Sequence, residues 1–285
     1  MPIGGVLTAM VTPFDADGRV DEAAAVSLMR HLLDHSSDGL VLAATTGEGA
    51  TLSDEEKESL WRLAVAEVGD EAFLVAGSGS NDTAHSMHLT ERAAEIGVDA
   101  ALVVTPYYNK PSRRGLIAHF TAVAGAAPDL PIVVYNIPSR CVIDMDNQLL
   151  RELAATIPNM AAVKQAREED LAAIEGLDLL AGSDHLLAEI MDLGGTGGIL
   201  VTSHLVGREM RRMIDEPDAR HELHDQLIDL FRTMFITSSP TPVKAALNMI
   251  GVEVGGVRLP MVEATEEEKA EIRAVLERHG LLTAV

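Results

Sequence analysis

Lys164 closes the apolar run Met160-Ala161-Ala162-Val163, and polar sequence resumes at Gln165. A lysine at the end of such a run sits where an ammonium ion is hard to solvate. Desolvation lowers the pKa of the amine and frees its lone pair for attack on a carbonyl. The resulting Schiff base is an electron sink that lets a neighbouring carbon form or break a bond. A lysine at a strand end also has a plainer reading, as a solvated or salt-bridged side chain. Its company bears on the choice, because Thr45-Thr46-Gly47-Glu48, Tyr107-Tyr108, Tyr135 and Arg140 follow apolar runs too. A tyrosine can shuttle a proton when a threonine hydroxyl completes the relay. An arginine at the mouth of a site binds a carboxylate in a bidentate fork. Taken one at a time, the threonines also read as a turn before glycine, Tyr135 as a packed core residue and Arg140 as a surface ion pair. Chemistry requires that one architecture bring them together.

The elements that must do so recur with a rhythm. Apolar runs of strand length fall at Val6-Thr12, Leu40-Ala44, Phe73-Ala76, Ala101-Val104, Ile132-Tyr135, Ala161-Lys164, Leu177-Ala181 and Gly198-Thr202. Amphipathic stretches separate most of them. Helix starts are legible at Ser53-Asp54-Glu55-Glu56, a capping box, and at Asn81, Pro111-Ser112 and Ser183-Asp184. Eight strands, each followed by a helix, give either an open doubly wound sheet or a closed barrel. Gly77-Ser78-Gly79-Ser80 is only a fragment of a dinucleotide fingerprint, and no Walker pattern occurs. The expected fold is therefore α/β, a (β/α)8 TIM barrel over residues 1–215. In such a barrel the strand C-termini and the loops beyond them form the mouth, which is where Thr45, Thr46, Tyr107, Tyr108, Tyr135, Arg140 and Lys164 fall. Residues 216–285 show helical patterns only and read as a C-terminal helical extension, with Gly251–Pro260 as a linker.

Composition excludes several classes. The 285 residues are 47% hydrophobic, enough for a sizeable core, and aromatic residues are so few, at 3%, that aliphatic side chains and Met must fill it. Met210 and Met213 read as core packing. With 22 basic against 44 acidic residues the formal charge is −22, which disfavours nucleic acid and anionic membranes as partners. An anionic substrate would need a local cation to overcome that field. The single cysteine, Cys141, excludes an intramolecular disulfide. It reads as an inert half-buried thiol, or as a reactive one beside Arg140. The start, Met1-Pro2-Ile3-Gly4-Gly5, lacks the pattern of a signal peptide, and no apolar stretch is long enough to span a membrane, so the cytoplasm is the expected location. The pairs His31/His35, His85/His88 and His221/His224 lack a third ligand and read as solvated helix faces, so no metal and no cofactor are expected.

Four segments resemble the dihydrodipicolinate synthase and N-acetylneuraminate lyase superfamily. They are Leu7-Thr8-Ala9-Met10-Val11-Thr12-Pro13-Phe14, Thr45-Thr46-Gly47-Glu48, Val104-Thr105-Pro106-Tyr107-Tyr108-Asn109-Lys110-Pro111 and Tyr135-Asn136-Ile137-Pro138-Ser139-Arg140. The similarity runs from about Gly5 to Leu281. The last of these segments, with Pro242-Val243-Lys244-Ala245-Ala246-Leu247 and Arg258-Leu259-Pro260, looks like the synthase branch. The resemblance implies a pyruvate-dependent lyase of class I aldolase type, with Lys164 forming the pyruvate Schiff base. Tyr135 is then the general acid/base, relayed through Thr46 to a Tyr108 that crosses from a neighbouring subunit. Thr45 and Thr46 hold the pyruvate carboxylate through backbone N–H groups, Arg140 holds the carboxylate of an aldehyde, and Gly182 and Ile199 line the pocket. The reaction implied is condensation of pyruvate with L-aspartate-4-semialdehyde on the lysine and diaminopimelate route, in a homotetramer built as a dimer of dimers.

Two departures from the synthase pattern stand on the side of the second substrate. Ser139-Arg140-Cys141-Val142 replaces Ser-Arg-Thr-Gly, and Gln165-Ala166-Arg167-Glu168 replaces Glu-Ala-Ser/Thr-Gly. Of the positions that bind inhibitory lysine in sensitive relatives, Asn81 and Tyr107 remain, while His85 replaces an acid, which implies weak or absent lysine inhibition. Two other functions fit the same residues. One is a 2-keto-3-deoxy sugar-acid aldolase or N-acetylneuraminate lyase working through the same Lys164. The other is a barrel that binds oxoacids without turnover. Arg140 separates the first from the synthase, since a polyol needs no cation there.

Overall fold

The computed structural model describes residues 3–282. Its strands are β1 (Gly5–Ala9), β2 (Gly39–Leu42), β3 (Phe73–Gly77), β4 (Ala100–Val104), β5 (Ile132–Asn136), β6 (Met160–Gln165), β7 (Asp178–Ala181) and β8 (Gly197–Leu200). They pair in parallel in chain order, and β1 returns to β8 with Leu7 opposite Ile199, so the sheet is a closed barrel rather than an open one. Strands buried on both faces need no polar side, which is why they read as short continuous apolar runs.

The helices are α1 (Glu22–Asp34), α2 (Asp54–Val68), α3 (Thr83–Ile96), α4 (Arg113–Ala126), α5 (Pro138–Cys141), α6 (Asn147–Thr156), α7 (Leu187–Asp192), α8 (Ser203–Asp215), α9 (Arg220–Thr233), α10 (Thr241–Met249) and α11 (Glu266–Arg278). The capping box at Ser53 forms as expected, and a second forms at Thr265, each with its glutamate three residues on. Asp21 and Asp146 start α1 and α6 as simple caps without the returning glutamate, accepting from Ala24 N and Leu149 N.

Three features differ from the sequence reading. β6 is not followed by a helix; residues 166–177 cross to β7 as irregular chain, too short a stretch for a helix and two turns. β8 stops at Leu200 rather than Thr202, because the N–H groups of Val201 and Thr202 turn out of the ladder to donate to the Asp184 carboxylate at 2.9 and 2.8 Å. Gly251–Pro260 is a strap against the barrel rather than a free linker. Within it Phe14 N donates to Val254 O, and the Arg258 guanidinium reaches Glu56, Thr51 O and Gly18 O.

The strap and α10 together seize the turn after β2. Lys244 of α10 places its Nζ 2.8 Å from Glu48 Oε1, with both side chains 2% exposed, and donates to Gly256 O at 2.6 Å. Glu48 Oε2 accepts from Arg258 N at 2.8 Å. The ammonium and the guanidinium also lie 4.1 and 4.4 Å from the centroid of the Phe14 ring. Burial pushes the Lys244 amine down to about 8 against the opposing pull of Glu48. Removing one partner of such a pair strands the other charge in the interior. Lys244→Met should therefore lower stability by about 3–5 kcal/mol in urea unfolding. A loss within experimental error would mean that the carboxylate finds another partner.

Candidate active site

β5 and β6 run in register, so Tyr135 stands opposite Lys164 and parallel pairing turns both side chains to one side of the sheet. The Lys164 Nζ lies 4.2 Å from the centroid of the Tyr135 ring. Lys164 is 4% exposed and Tyr135 5%. Burial pushes the lysine amine down to about 7; Asp184 opposes that shift and the positive charge of Arg140 adds to it. About half of the amines are then neutral, and nucleophilic, at pH 7. Burial also drives the Tyr135 phenol well above its ordinary value, so this hydroxyl carries its proton and acts first as a donor.

Asp184 is the counter-charge. It is 1% exposed and accepts from Val201 N, Thr202 N and, at 2.5 Å, the Thr202 hydroxyl. Burial raises its pKa while these bonds and Lys164 pull it down. The sequence reading used Ser183-Asp184 as a helix start and missed this role. A lone acid three residues past the end of an apolar run was the available signal.

Beside this pair opens a cavity of about 500 Å³ whose wall includes Thr45, Tyr107, Tyr135, Arg140 and Cys141; Tyr135 is on that wall, whereas Lys164 and Asp184 are not. Arg140, on α5, is exposed at the mouth. Its neighbours are committed elsewhere, Arg113 to Asp146 and Glu152 and Arg167 to Asp144, whereas Arg140 enters no ion pair among the described residues. That removes the reading of Arg140 as a surface ion pair. Cys141 is buried, its Sγ donates to Thr105 O at 3.1 Å, and burial pushes the thiol up to about 11. A thiol held protonated in this way is a poor nucleophile.

Other expected residues lie off that wall. Thr45 is exposed on it, whereas Thr46, 5% exposed, is tucked behind. Tyr108 is 88% exposed with φ +72° and is not on the cavity wall, whereas Tyr135 of the same chain is buried. Its turn is fixed by Thr105, which donates through both N and Oγ1 to Tyr135 O, and by Asn109, which reaches Asn81 O. Gly182, half-buried just past the end of β7, and Ile199, within β8, are both off the cavity wall. Gly182 N donates to Gln165 O, and a Cβ there would come within 2.8 Å of that carbonyl. Ile199 is fully buried on β8. Farther out, the wall continues between α2 and α3, where His85 Nε2 lies 2.9 Å and Lys57 Nζ 3.8 Å from Asp54 Oδ1.

Residues 2–279 match the profile of the Dihydrodipicolinate synthetase family. The chain belongs to this family. A 4-hydroxy-tetrahydrodipicolinate synthase of Moorella thermoacetica is 47% identical, over 99% of this chain and 100% of its own. Among solved structures, the dihydrodipicolinate synthase of Cyanidioschyzon merolae with lysine bound superimposes with a TM-score of 0.94 at 39% identity, covering 98% of this chain and 99% of that one. The chloride-inhibited enzyme of Acinetobacter baumannii complexed with pyruvate does so with a TM-score of 0.94 at 33% identity, covering 98% and 100%.

The depressed lysine predicts a pH profile. A base with its pKa lowered from 10.5 to about 7 is neutral above that pH. Reductive trapping of a small 2-oxoacid on Lys164, followed by intact mass, should accelerate about tenfold per unit below pH 6 and level off above about pH 8. A rate still climbing towards pH 10 would mean that the amine is solvated.

Proposed function

We propose that the protein is a 4-hydroxy-tetrahydrodipicolinate synthase, joining pyruvate to L-aspartate-4-semialdehyde through a Schiff base on Lys164. The observation that carries this is the buried Lys164 amine against the Tyr135 ring, in a chain of a family whose full-length relatives bear that name. The neutral amine adds to the ketone carbon of pyruvate, and the Tyr135 hydroxyl protonates the departing oxygen, so that water leaves and the iminium forms. Loss of a methyl proton gives the enamine, whose carbon attacks the aldehyde. The amino group of the second substrate then displaces Lys164, closes the ring and frees the enzyme. Asp184 offsets the cationic iminium during these steps.

Thr45 is the threonine on the cavity wall, so we assign it the relay hydroxyl expected of Thr46. Thr46, behind it, helps to hold the pyruvate carboxylate from the same turn. Arg140 takes the carboxylate of the semialdehyde, a role supported by its lack of an internal partner and one that a polyol substrate would not need. Tyr108 completes the relay of a second copy, which accounts for an aromatic ring 88% exposed at a site mouth. A dimer is the minimum such sharing requires, and a dimer of dimers is the assembly the resemblance implies.

A coupled assay with pyruvate and L-aspartate-4-semialdehyde tests the overall reaction, and turnover confined to sugar aldehydes would overturn it. Compared above pH 8, where the contribution of the Arg140 charge to the Lys164 pKa no longer matters, Arg140→Ala should leave pyruvate trapping intact while raising the KM for the semialdehyde on the order of 100-fold. Equal loss of both steps would contradict the role given to Arg140. If Tyr108 acts across subunits, mixed Lys164→Ala and Tyr108→Phe protein, each nearly inactive alone, should regain activity as hybrids; no regain would place the relay within one chain. Inhibition by lysine should be weak, because at the position of the expected acid His85 occupies the Asp54 carboxylate together with Lys57. Sub-millimolar inhibition would refute this.

A further inference from the structure

The second departure noted in the sequence reaches the chain just beyond the first: Arg167 meets Asp144, two residues after Val142. Arg167 leaves the end of β6 and turns away from the cavity. Its side chain is 9% exposed, and its guanidinium donates to Asp144 Oδ2 at 3.0 Å, Asn147 Oδ1 at 2.7 Å and Asp170 O at 2.6 Å. Asp144 in turn accepts through Oδ1 from Asn136 Nδ2 at 2.8 Å. Asn136 also donates to Gln165 Oε1 at 3.0 Å, and Gln165 Oε1 accepts from Arg167 N at 3.1 Å. The bonds close a circuit, from Asn136 to Asp144 to Arg167 to Gln165 and back to Asn136.

The position of the circuit gives it a function. Asn136 follows Tyr135, and Gln165 follows Lys164, so both corners on the strands directly continue the two reacting side chains. Asp144 and Met145 end the loop that carries α5 and Arg140. Asn136 clasps that end a second time, accepting from Met145 N at 3.1 Å. Since Arg140 has no ionic partner among the described residues, its place at the mouth depends on how firmly the two ends of this short loop are held. One end is strand β5. The other is held by the carboxylate that Arg167 grips from the side. Gln165 is neutral and 2% exposed, which leaves Asp144 as the one carboxylate of the circuit for the guanidinium to meet. A short acid or hydroxyl at 167 could not span these three acceptors, whereas the guanidinium fork can.

We propose that Arg167 is a positioning residue that, through Asp144, holds Arg140 where the carboxylate of the second substrate must dock. The inference rests on the proposed role of Arg140 and deepens it. Arg167 touches neither substrate nor Lys164. Its removal is felt chiefly at the semialdehyde step, where Arg140 meets the carboxylate; trapping is compared above pH 8, so that the smaller effect of the Arg140 charge on the Lys164 amine does not enter.

The test is Arg167→Ala, read in two ways. Hydrogen exchange of the 137–143 backbone in the unliganded protein should speed up about tenfold or more. In turnover, the KM for L-aspartate-4-semialdehyde should rise about tenfold to 100-fold while borohydride trapping of pyruvate stays at the rate of the unaltered protein. Arg167→Lys, which keeps the charge but loses the fork, should fall between the two. In an Arg140→Ala background the loss of Arg167 should add nothing further to the KM. Should Arg167→Ala fail to fold, Asp144→Asn removes the charge that Arg167 grips, and the same split between the two substrates is expected. Unchanged loop exchange, an unchanged semialdehyde KM, or equal slowing of the pyruvate and semialdehyde steps would each overturn the proposal. An unaltered enzyme that traps pyruvate yet ignores the semialdehyde overturns the choice of second substrate instead. The exchange comparison then judges Arg167 separately.

Discussion

One amine kept out of water governs this structure. Lys164 is nearly fully buried, its ring neighbour Tyr135 equally so, and the cost of hydrating neither is what lowers the first pKa and raises the second. The two shifts have opposite sign and one cause, and together they yield a nucleophile and a proton donor at neutral pH. Burial unopposed would also make the later cationic iminium expensive. Asp184 answers that need, and its three hydrogen bonds from Val201 and Thr202 work against the rise that burial imposes on its pKa. The early end of β8 is the structural consequence, since those N–H groups serve Asp184 instead of the barrel.

A barrel supplies the floor of such a site but not its mouth, which is made of turns. Two buried polar clusters hold the turns that matter. Glu48, Lys244 and Arg258 pin the turn after β2, which presents Thr45 and Thr46, to the C-terminal helices and strap. Asn136, Asp144, Arg167 and Gln165 pin the loop after β5, which presents Arg140. Each cluster sets a charge in or near the interior against a partner with little slack, an arrangement that contributes more to geometry than to net stability.

Electrostatics completes the picture. With a formal charge of −22 the molecule as a whole repels the anions it is proposed to use. Most arginines are spent on neighbouring acids, as with Arg92 on Glu58 and Glu95 or Arg212 on Glu216. Arg140 is left uncompensated at the cavity wall. A carboxylate therefore meets attraction locally, and a polyol gains nothing from that cation.

The sequence by itself determined the local elements. Short apolar runs set eight strands, side-chain oxygens three residues before a carboxylate set helix starts, and an apolar run closing on Lys164 marked the reactive amine, because these signals depend only on near neighbours. Tertiary structure decided whatever depends on distant partners. Closure of the sheet needed the pairing of Leu7 with Ile199, and the choice of Thr45 over Thr46 at the cavity wall needed the turn that Lys244 holds from almost 200 residues away. The role of Asp184 was invisible because no local pattern says which side of a turn an acid faces. Arg167 looked like a disturbance of the second-substrate side; in the fold its charge points away from the cavity and into Asp144, a partner 23 residues away that no local pattern could name.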